Sequence, residues 1–260
     1  MNLKAIDTHA HLSFQQYDGD REKLVKELEK EGIGVIEVAD KPASFTAIEE
    51  LVKNKYVWGM LGIHPLEVDN NPIISLPKII EGIESKILSN NKIVGIGEIG
   101  LDYQYGMEKA TKQHNLLRML LDSAKKLDVP VTLHCRKAYG DLITFLNEFK
   151  PVKGVIHCYS GTLEQAESFL ELGLHISFTA SITYPANEEL RNVAKVLPLS
   201  KIMLETDSPF LPGQSRRGQR NDPRTVLEVA EYLAVLHSTT KEKILDITTT
   251  NAQKLFKLGI

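Results

Sequence analysis

The sequence predicts an α/β fold, a single (β/α)8 TIM barrel domain over residues 1–260. Three observations predict it. Eight short β-rich runs alternate with helix-patterned segments, the length suits one such barrel, and no Pro/Gly/Ser linker, low-complexity segment or short repeat divides the chain. A doubly wound sheet is the alternative; eight clean units without a linker favour the barrel.

The strand runs lie near residues 3–8, 33–39, 56–62, 93–98, 130–134, 153–157, 174–179 and 201–206. Between them, Asp20–Glu31 repeats Leu24 and Leu28 at helical spacing, and Ala43–Lys53 does so with Ile48, Leu51 and Val52. The stretch from Ile63 to Asn91 is long for one crossover and reads as an irregular loop with proline turns. Lys109–Leu127 is the longest helical pattern, with Leu116, Leu117, Leu120, Leu121 and Ala124 on one face. Thr162-Leu163-Glu164-Gln165 has the form of a capping box and starts the helix after the sixth strand. Later helices run about 187–196, 222–237 and 241–256.

Composition narrows the class. With 42% hydrophobic and 25% charged residues, and a mean hydropathy of −0.16, the chain is an ordinary globular one. No apolar run approaches the ~18 residues that span a bilayer, and Met-Asn-Leu-Lys-Ala-Ile-Asp lacks the layout of a signal peptide, so no membrane partner is expected. Two cysteines, Cys135 and Cys158, are too few for a disulfide framework, which points to a reduced, cytoplasmic protein. A net charge of −3 argues against coating nucleic acid by overall field, yet allows a grip on a few phosphates.

The chemistry begins at Asp7-Thr8-His9-Ala10-His11. At a strand end, a period of two puts Asp7, His9 and His11 on one face, two imidazoles for one cation with an acid to orient one of them. Alone, His-x-His is a weak signal. Barrel chemistry sits where strands end, however, and there the chain also places His64, Glu98, His134, His157, Glu205 and Asp207. Of the eight histidines, only His114, His175 and His237 lie elsewhere, and these read as structural or solvated.

Five imidazoles and several carboxylates exceed the needs of one cation, so a two-metal site at the C-terminal ends of the strands is expected. His9, His11 and Asp207 suit one ion, His134 and His157 the other, and Glu98 can bridge them. The donors suit Zn²⁺, Mn²⁺, Fe²⁺ or Co²⁺, while Mg²⁺ prefers more oxygen; the expected cofactors are two divalent ions, Mg²⁺, Mn²⁺ or Zn²⁺. Cations ~3.5–4 Å apart share a water, lower its pKa and clamp both oxygens of an in-line displacement. Asp207 is the candidate base, and Glu205, on the same strand face, is expected to point into the barrel below it as support.

Gly95-Ile96-Gly97-Glu98-Ile99-Gly100 matches the dinucleotide fingerprint, but no helix pattern opens after it and a glutamate would face the pyrophosphate. The glycines read instead as room for backbone around a ligand, and no nucleotide cofactor is expected. Cys135 and Cys158 each follow a proposed ligand and so face the other way, towards helices. Substrate contacts are suggested by the loop 214–221 with Arg216, Arg217 and Arg220, by Arg136, and by Tyr103, Tyr105 and Tyr159, where a base could stack.

These segments together resemble the TatD family of metal-dependent deoxyribonucleases, within the amidohydrolase-like TIM barrels, over essentially the whole chain. The resemblance rests on Asp7-Thr8-His9-Ala10-His11-Leu12, Gly62-Ile63-His64-Pro65, Gly97-Glu98-Ile99-Gly100-Leu101-Asp102-Tyr103 and Leu133-His134-Cys135-Arg136. His157-Cys158-Tyr159-Ser160-Gly161, Glu205-Thr206-Asp207-Ser208-Pro209-Phe210-Leu211, Arg217-Gly218 and Asn221-Asp222-Pro223 complete it. It implies metal ligands at His9, His11, Glu98, His134, His157 and Asp207, and contacts to the substrate phosphate at His64 and Arg136; Tyr103, Arg217 and Asn221 are further candidate substrate contacts. It also implies a nuclease acting on DNA, single-stranded or at 3′ ends. Leu117 and Leu120 stand where the family usually has an aromatic and a glutamine, and Asp222 where it has glutamate; both departures bear on substrate preference.

The leading reading is a 3′-end deoxyribonuclease that uses a metal-bridging hydroxide. A two-metal hydrolase of an ester or amide, such as D-aminoacyl-tRNA, is the alternative, and a non-catalytic nucleic-acid-binding barrel is the third.

Overall fold

In a computed structural model, which describes residues 3–259, eight parallel strands follow one another around a barrel in sequence order. Residues 1, 2 and 260, which the single-domain reading also covers, lie outside the described residues. The strands are β1 (Ala5–Ala10), β2 (Ile33–Val38), β3 (Val57–Leu61), β4 (Ile93–Asp102), β5 (Val131–Arg136), β6 (Gly154–Ile156), β7 (His175–Phe178) and β8 (Ile202–Leu204). A parallel bridge from Ala10 to Ser208, and the bond from the Asp207 N–H to the His9 carbonyl, bring β8 back to β1. The predicted (β/α)8 fold is the observed one.

The strands are buried on almost every residue because helices cover the barrel outside while side chains fill it inside. The helices are α1 (Arg21–Glu31), α2 (Phe45–Leu51), α3 (Leu76–Ser89), α4 (Ala110–Leu127), α5 (Tyr139–Leu146), α6 (Leu163–Glu171), α7 (Glu188–Val196), α8 (Val226–Leu236) and α9 (Lys241–Phe256). α1 buries Leu24, Val25 and Leu28, then stops at Gly32, whose left-handed backbone suits a residue without Cβ. The capping box at Thr162 forms as expected, with Thr162 and Gln165 satisfying each other's backbone N–H groups. Phe256 and Leu258, at the end of α9, pack with Ile6, Trp58 and Met203.

Three expectations need correction. Half of the 63–91 stretch is helix: α3 buries Leu76, Ile80 and Ile83, and Pro77 sits in its first turn, where a missing N–H costs nothing. The proline, together with Gly82, obscured the helical period. α5 was not expected at all; it is short and begins Tyr-Gly-Asp, yet buries Leu142, Phe145 and Leu146. β4 also runs four residues beyond its expected end, to Asp102. Among the described residues no helix is long and apolar enough to cross a membrane.

Candidate metal centre

Glu98 stands at the middle of the strand ends, and its two carboxylate oxygens face different partners. Oε1 lies 2.7 Å from His157 Nε2, 2.8 Å from His134 Nδ1 and 3.7 Å from His64 Nε2. Oε2 lies 3.5 Å from His9 Nε2. Asp207 approaches from β8, with Oδ1 3.4 Å from His11 Nε2 and 3.9 Å from His9 Nε2. His9, His11 and Glu98 thus form one group able to hold a cation, and Glu98, His134 and His157 a second, with Glu98 shared.

The donor chemistry fits divalent ions. Two nitrogens held about 2.0–2.1 Å from one tetrahedral cation stand about 3.3–3.4 Å apart. His9 Nε2 and His11 Nε2 are 3.2 Å apart, as are His134 Nδ1 and His157 Nε2. The far nitrogens are fixed in two cases: His11 Nδ1 lies 2.9 Å from the Val38 carbonyl and His134 Nε2 3.0 Å from Asp102 Oδ2. Such partners set the tautomer and aim the other nitrogen at the ion. Buried His9 Nδ1 and His157 Nδ1 have no hydrogen-bond partner among the described residues.

The charges are arranged to suit. Burial pushes Glu98 up, but the imidazoles of His157, His64 and His134 outweigh it and hold the carboxyl well below its usual range. Burial likewise opposes ionisation of Asp207, and His11 and His9 overcome it, keeping it below its ordinary value. His11 is held up, against burial, to about 9 by Asp207, Glu98 and Glu37, whereas burial lowers His64 to about 4.

Close backbone packing makes room for this. Gly100 has φ +148°, and a Cβ there would lie 2.0 Å from the His134 carbonyl oxygen; one on Gly62 would lie 2.5 Å from the Gly97 carbonyl carbon. β4 runs straight through the Gly95–Gly100 segment, and no α-helix opens before Ala110. Glu37, buried on β2, accepts the N–H groups of Leu12 and Ser13 at 2.6 and 2.8 Å, fixing the chain just after His11.

One of the acids acts differently from expectation. Asp7 orients no imidazole: it accepts the N–H groups of His9 and Thr206 at 3.1 and 3.0 Å, and the Thr206 hydroxyl, clasping β1 to β8. A shift of register between Asp7 and Ala10 breaks the simple period of two on which that expectation relied. Glu205 is buried beside the candidate ligand His157, with Oε1 3.6 Å from His157 Nδ1 and accepting the Cys158 N–H.

Of the expected substrate contacts, His64 joins the cluster, its ring 4.4 Å from that of His134. Arg136 is exposed at the end of β5. Tyr103 does not join: its buried ring sends its hydroxyl to Asp141, with His114 Nε2 at 3.1 Å. Tyr159 is buried with its hydroxyl donating to the Thr162 carbonyl, while Tyr105 is exposed. Asn221 is fully buried and donates to the carbonyls of Phe210, Thr206 and Leu211 at 2.7, 3.2 and 3.3 Å, so it fastens the loop after β8 and offers nothing to a substrate. Arg216 and Arg220 are engaged by Thr225 and Asp20, and Arg217 lies 4.4 Å over the Tyr184 ring. Cys135 and Cys158 are free thiols.

Asp102 was missed. Glu98, Gly100 and Asp102 share a strand parity, a signal hidden because β4 was expected to end at Glu98.

The profile of a family described as TatD related DNase matches residues 6–257. The chain is 33% identical over 258 residues to the uncharacterized metal-dependent hydrolase YabD of Bacillus subtilis, covering 98% of this chain and 99% of that one. It is also 33% identical over 261 residues to the uncharacterized metal-dependent hydrolase YjjV of Escherichia coli, covering 99% and 100%. The crystal structure of YjjV, a TatD homolog, superposes with a TM-score of 0.91 at 32% identity over 100% of both chains. A TatD-family hydrolase from Entamoeba histolytica gives 0.86 at 24% identity over 98% and 99%, a likeness of fold alone.

Proposed function

The chain belongs to the TatD-related DNase family, and on that premise we propose that it is a metal-dependent hydrolase of phosphodiester bonds, a deoxyribonuclease working from 3′ ends. The observation that carries this reading is Glu98, with one oxygen towards His9 and the other towards His134 and His157. In it, His9, His11 and Asp207 hold one divalent ion, Mg²⁺, Mn²⁺ or Zn²⁺; His134 and His157 hold the other; and Glu98 serves both. Such a pair, when bound, supplies an activated water and stabilises charge on the attacking and leaving oxygens.

The chain's own residues do the rest. Asp207, kept ionised by His11 and His9, receives a proton at its carboxylate. Arg136 presents an exposed guanidinium, and His64 a largely neutral imidazole, to the non-bridging phosphate oxygens. Asp102 holds the ring of His134 by a hydrogen bond, and Glu205 places a carboxylate beside that of His157. Two of the cations expected on the rim, Arg216 and Arg220, are already engaged by Thr225 and Asp20, so fewer remain to grip a long duplex. That favours single strands and chain ends. Free thiols at Cys135 and Cys158 accord with work in a reducing cytoplasm.

The test uses metal-stripped full-length protein and end-labelled single-stranded and duplex DNA, with Mg²⁺, Mn²⁺ or Zn²⁺ restored in turn. Stepwise 3′ shortening that requires metal and is lost in Asp207→Asn is expected. No cleavage despite measured metal occupancy would overturn the reading and turn attention to ester or amide substrates.

A further inference from the structure

Two phenylalanines flank the cluster on the side where β8 meets β1. Phe14 and Phe210 each follow a candidate ligand by three residues, and each is tied to it by a turn. The Phe14 N–H donates to the His11 carbonyl at 3.1 Å and the Phe210 N–H to the Asp207 carbonyl at 2.9 Å. The Phe14 ring stacks on the His11 imidazole, with centroids 4.6 Å apart and planes at 14°. Phe210 meets Phe14 edge to face at 6.1 Å and His11 at 6.4 Å. The result is an aromatic wall fixed to the ligands themselves.

The wall is open. Phe210 is 46% exposed. Across the barrel mouth, on β5, Arg136 is also exposed and has no side-chain partner among the described residues. One wall therefore offers a planar apolar face and the other a guanidinium, with the acids and imidazoles between. A ligand that matches this sequence of surfaces has a flat aromatic group on one side of a phosphate.

We infer that Phe210, braced by Phe14, is the seat on which an unpaired nucleobase stacks beside the bond to be cut. The inference rests on the phosphodiester reading and adds to it how the base is held. Stacking demands that the base be out of a duplex, so it selects single-stranded or frayed ends. Every base has a flat face and a phenyl ring has no hydrogen-bonding groups, so the seat is tolerant of sequence. Of the tyrosines marked for this role in the sequence, Tyr103 and Tyr159 are buried and Tyr105 stands exposed in the loop after β4.

The experiment uses metal-loaded full-length protein and single-stranded DNA whose last linkage is a phosphorothioate, which slows cutting. The 3′-terminal nucleotide is 2-aminopurine or an abasic analogue. Wild type should quench 2-aminopurine fluorescence; Phe210→Ala should lose the quench and raise Kd by roughly 5- to 150-fold, the span measured for base stacking on aromatic side chains. Phe210→Trp should restore both, and wild type and Phe210→Ala should bind the abasic strand alike. Undiminished quenching in Phe210→Ala, absence of quenching in wild type, or an equal loss of affinity for the abasic strand would overturn the inference. Cleavage of an ordinary strand by wild type is scored separately. A protein that stacks the base but cuts nothing keeps the seat and refutes the nuclease.

Discussion

Replacing Asp102 by Asn should cost the protein one of its metal ions while leaving the fold intact. Oδ1 of Asp102 accepts the Gln104 N–H at 2.8 Å and Oδ2 lies 3.0 Å from His134 Nε2. Its backbone is clasped on both sides by Gln113, which accepts the Asp102 N–H at 2.8 Å and donates to the Asp102 carbonyl at 2.9 Å. In Asp102→Asn the amide oxygen keeps the Gln104 N–H, so the amide NH₂ must face His134 Nε2. That nitrogen can then only accept, and the imidazole proton moves to Nδ1, the atom 2.8 Å from Glu98 that the metal needs unprotonated. Loss of a carboxylate behind a ligating histidine costs 10- to 100-fold in affinity, or about 1.4–2.7 kcal/mol. The assay is metal competition against a chelating dye, with melting of the metal-free protein as the control for folding. An affinity within about twofold of wild type, with the fold intact, would refute this role for Asp102.

Three further outcomes are expected. Asn221→Ala should lower the melting temperature, because it strands buried carbonyl groups and removes a bonded amide worth about 1–3 kcal/mol; a raised KM with unchanged stability would instead return Asn221 to substrate binding. Gly100→Ala should destabilise the protein by about 2 kcal/mol or more and weaken metal affinity, since its Cβ would collide with the His134 carbonyl; an unchanged melt would contradict the packing. His175, at the start of β7, is lowered to about 4 by burial, with Lys201 adding to the effect. Between that value and the ordinary 6.5 the unfolded chain binds the proton and the folded one does not, so stability falls as pH drops through this window. His175→Gln should therefore melt with a smaller loss between pH 7 and pH 5 than wild type, and an equal loss would rule His175 out as the cause.

The barrel was legible because parallel strands buried on both faces read as apolar runs, and because six of the eight runs ended in a residue fit for chemistry. His9, His11, Glu98, His134, His157 and Asp207 converge because strand ends of one barrel share a rim, a consequence of topology that survives errors of two residues in any boundary. What depended on finer geometry was less legible. A register shift redirected Asp7, an overlong β4 hid Asp102, and Pro77 and Gly82 disguised α3. The rim side chains were the least readable of all. Whether Tyr103 faces the mouth or Asp141, and whether Asn221 meets substrate or three carbonyls, depends on side-chain direction and loop path, which no spacing encodes.

The central claim, that one carboxylate serves two cations, is tested most directly by anomalous diffraction from crystals of the Mn²⁺-loaded protein. The account predicts two ions about 3.5–4 Å apart, one beside His9, His11 and Asp207 and the other beside His134 and His157, with Glu98 contacting both. In Glu98→Ala at least one of them should vanish. A single ion per chain at saturating Mn²⁺, or two ions that ignore Glu98, would contradict it.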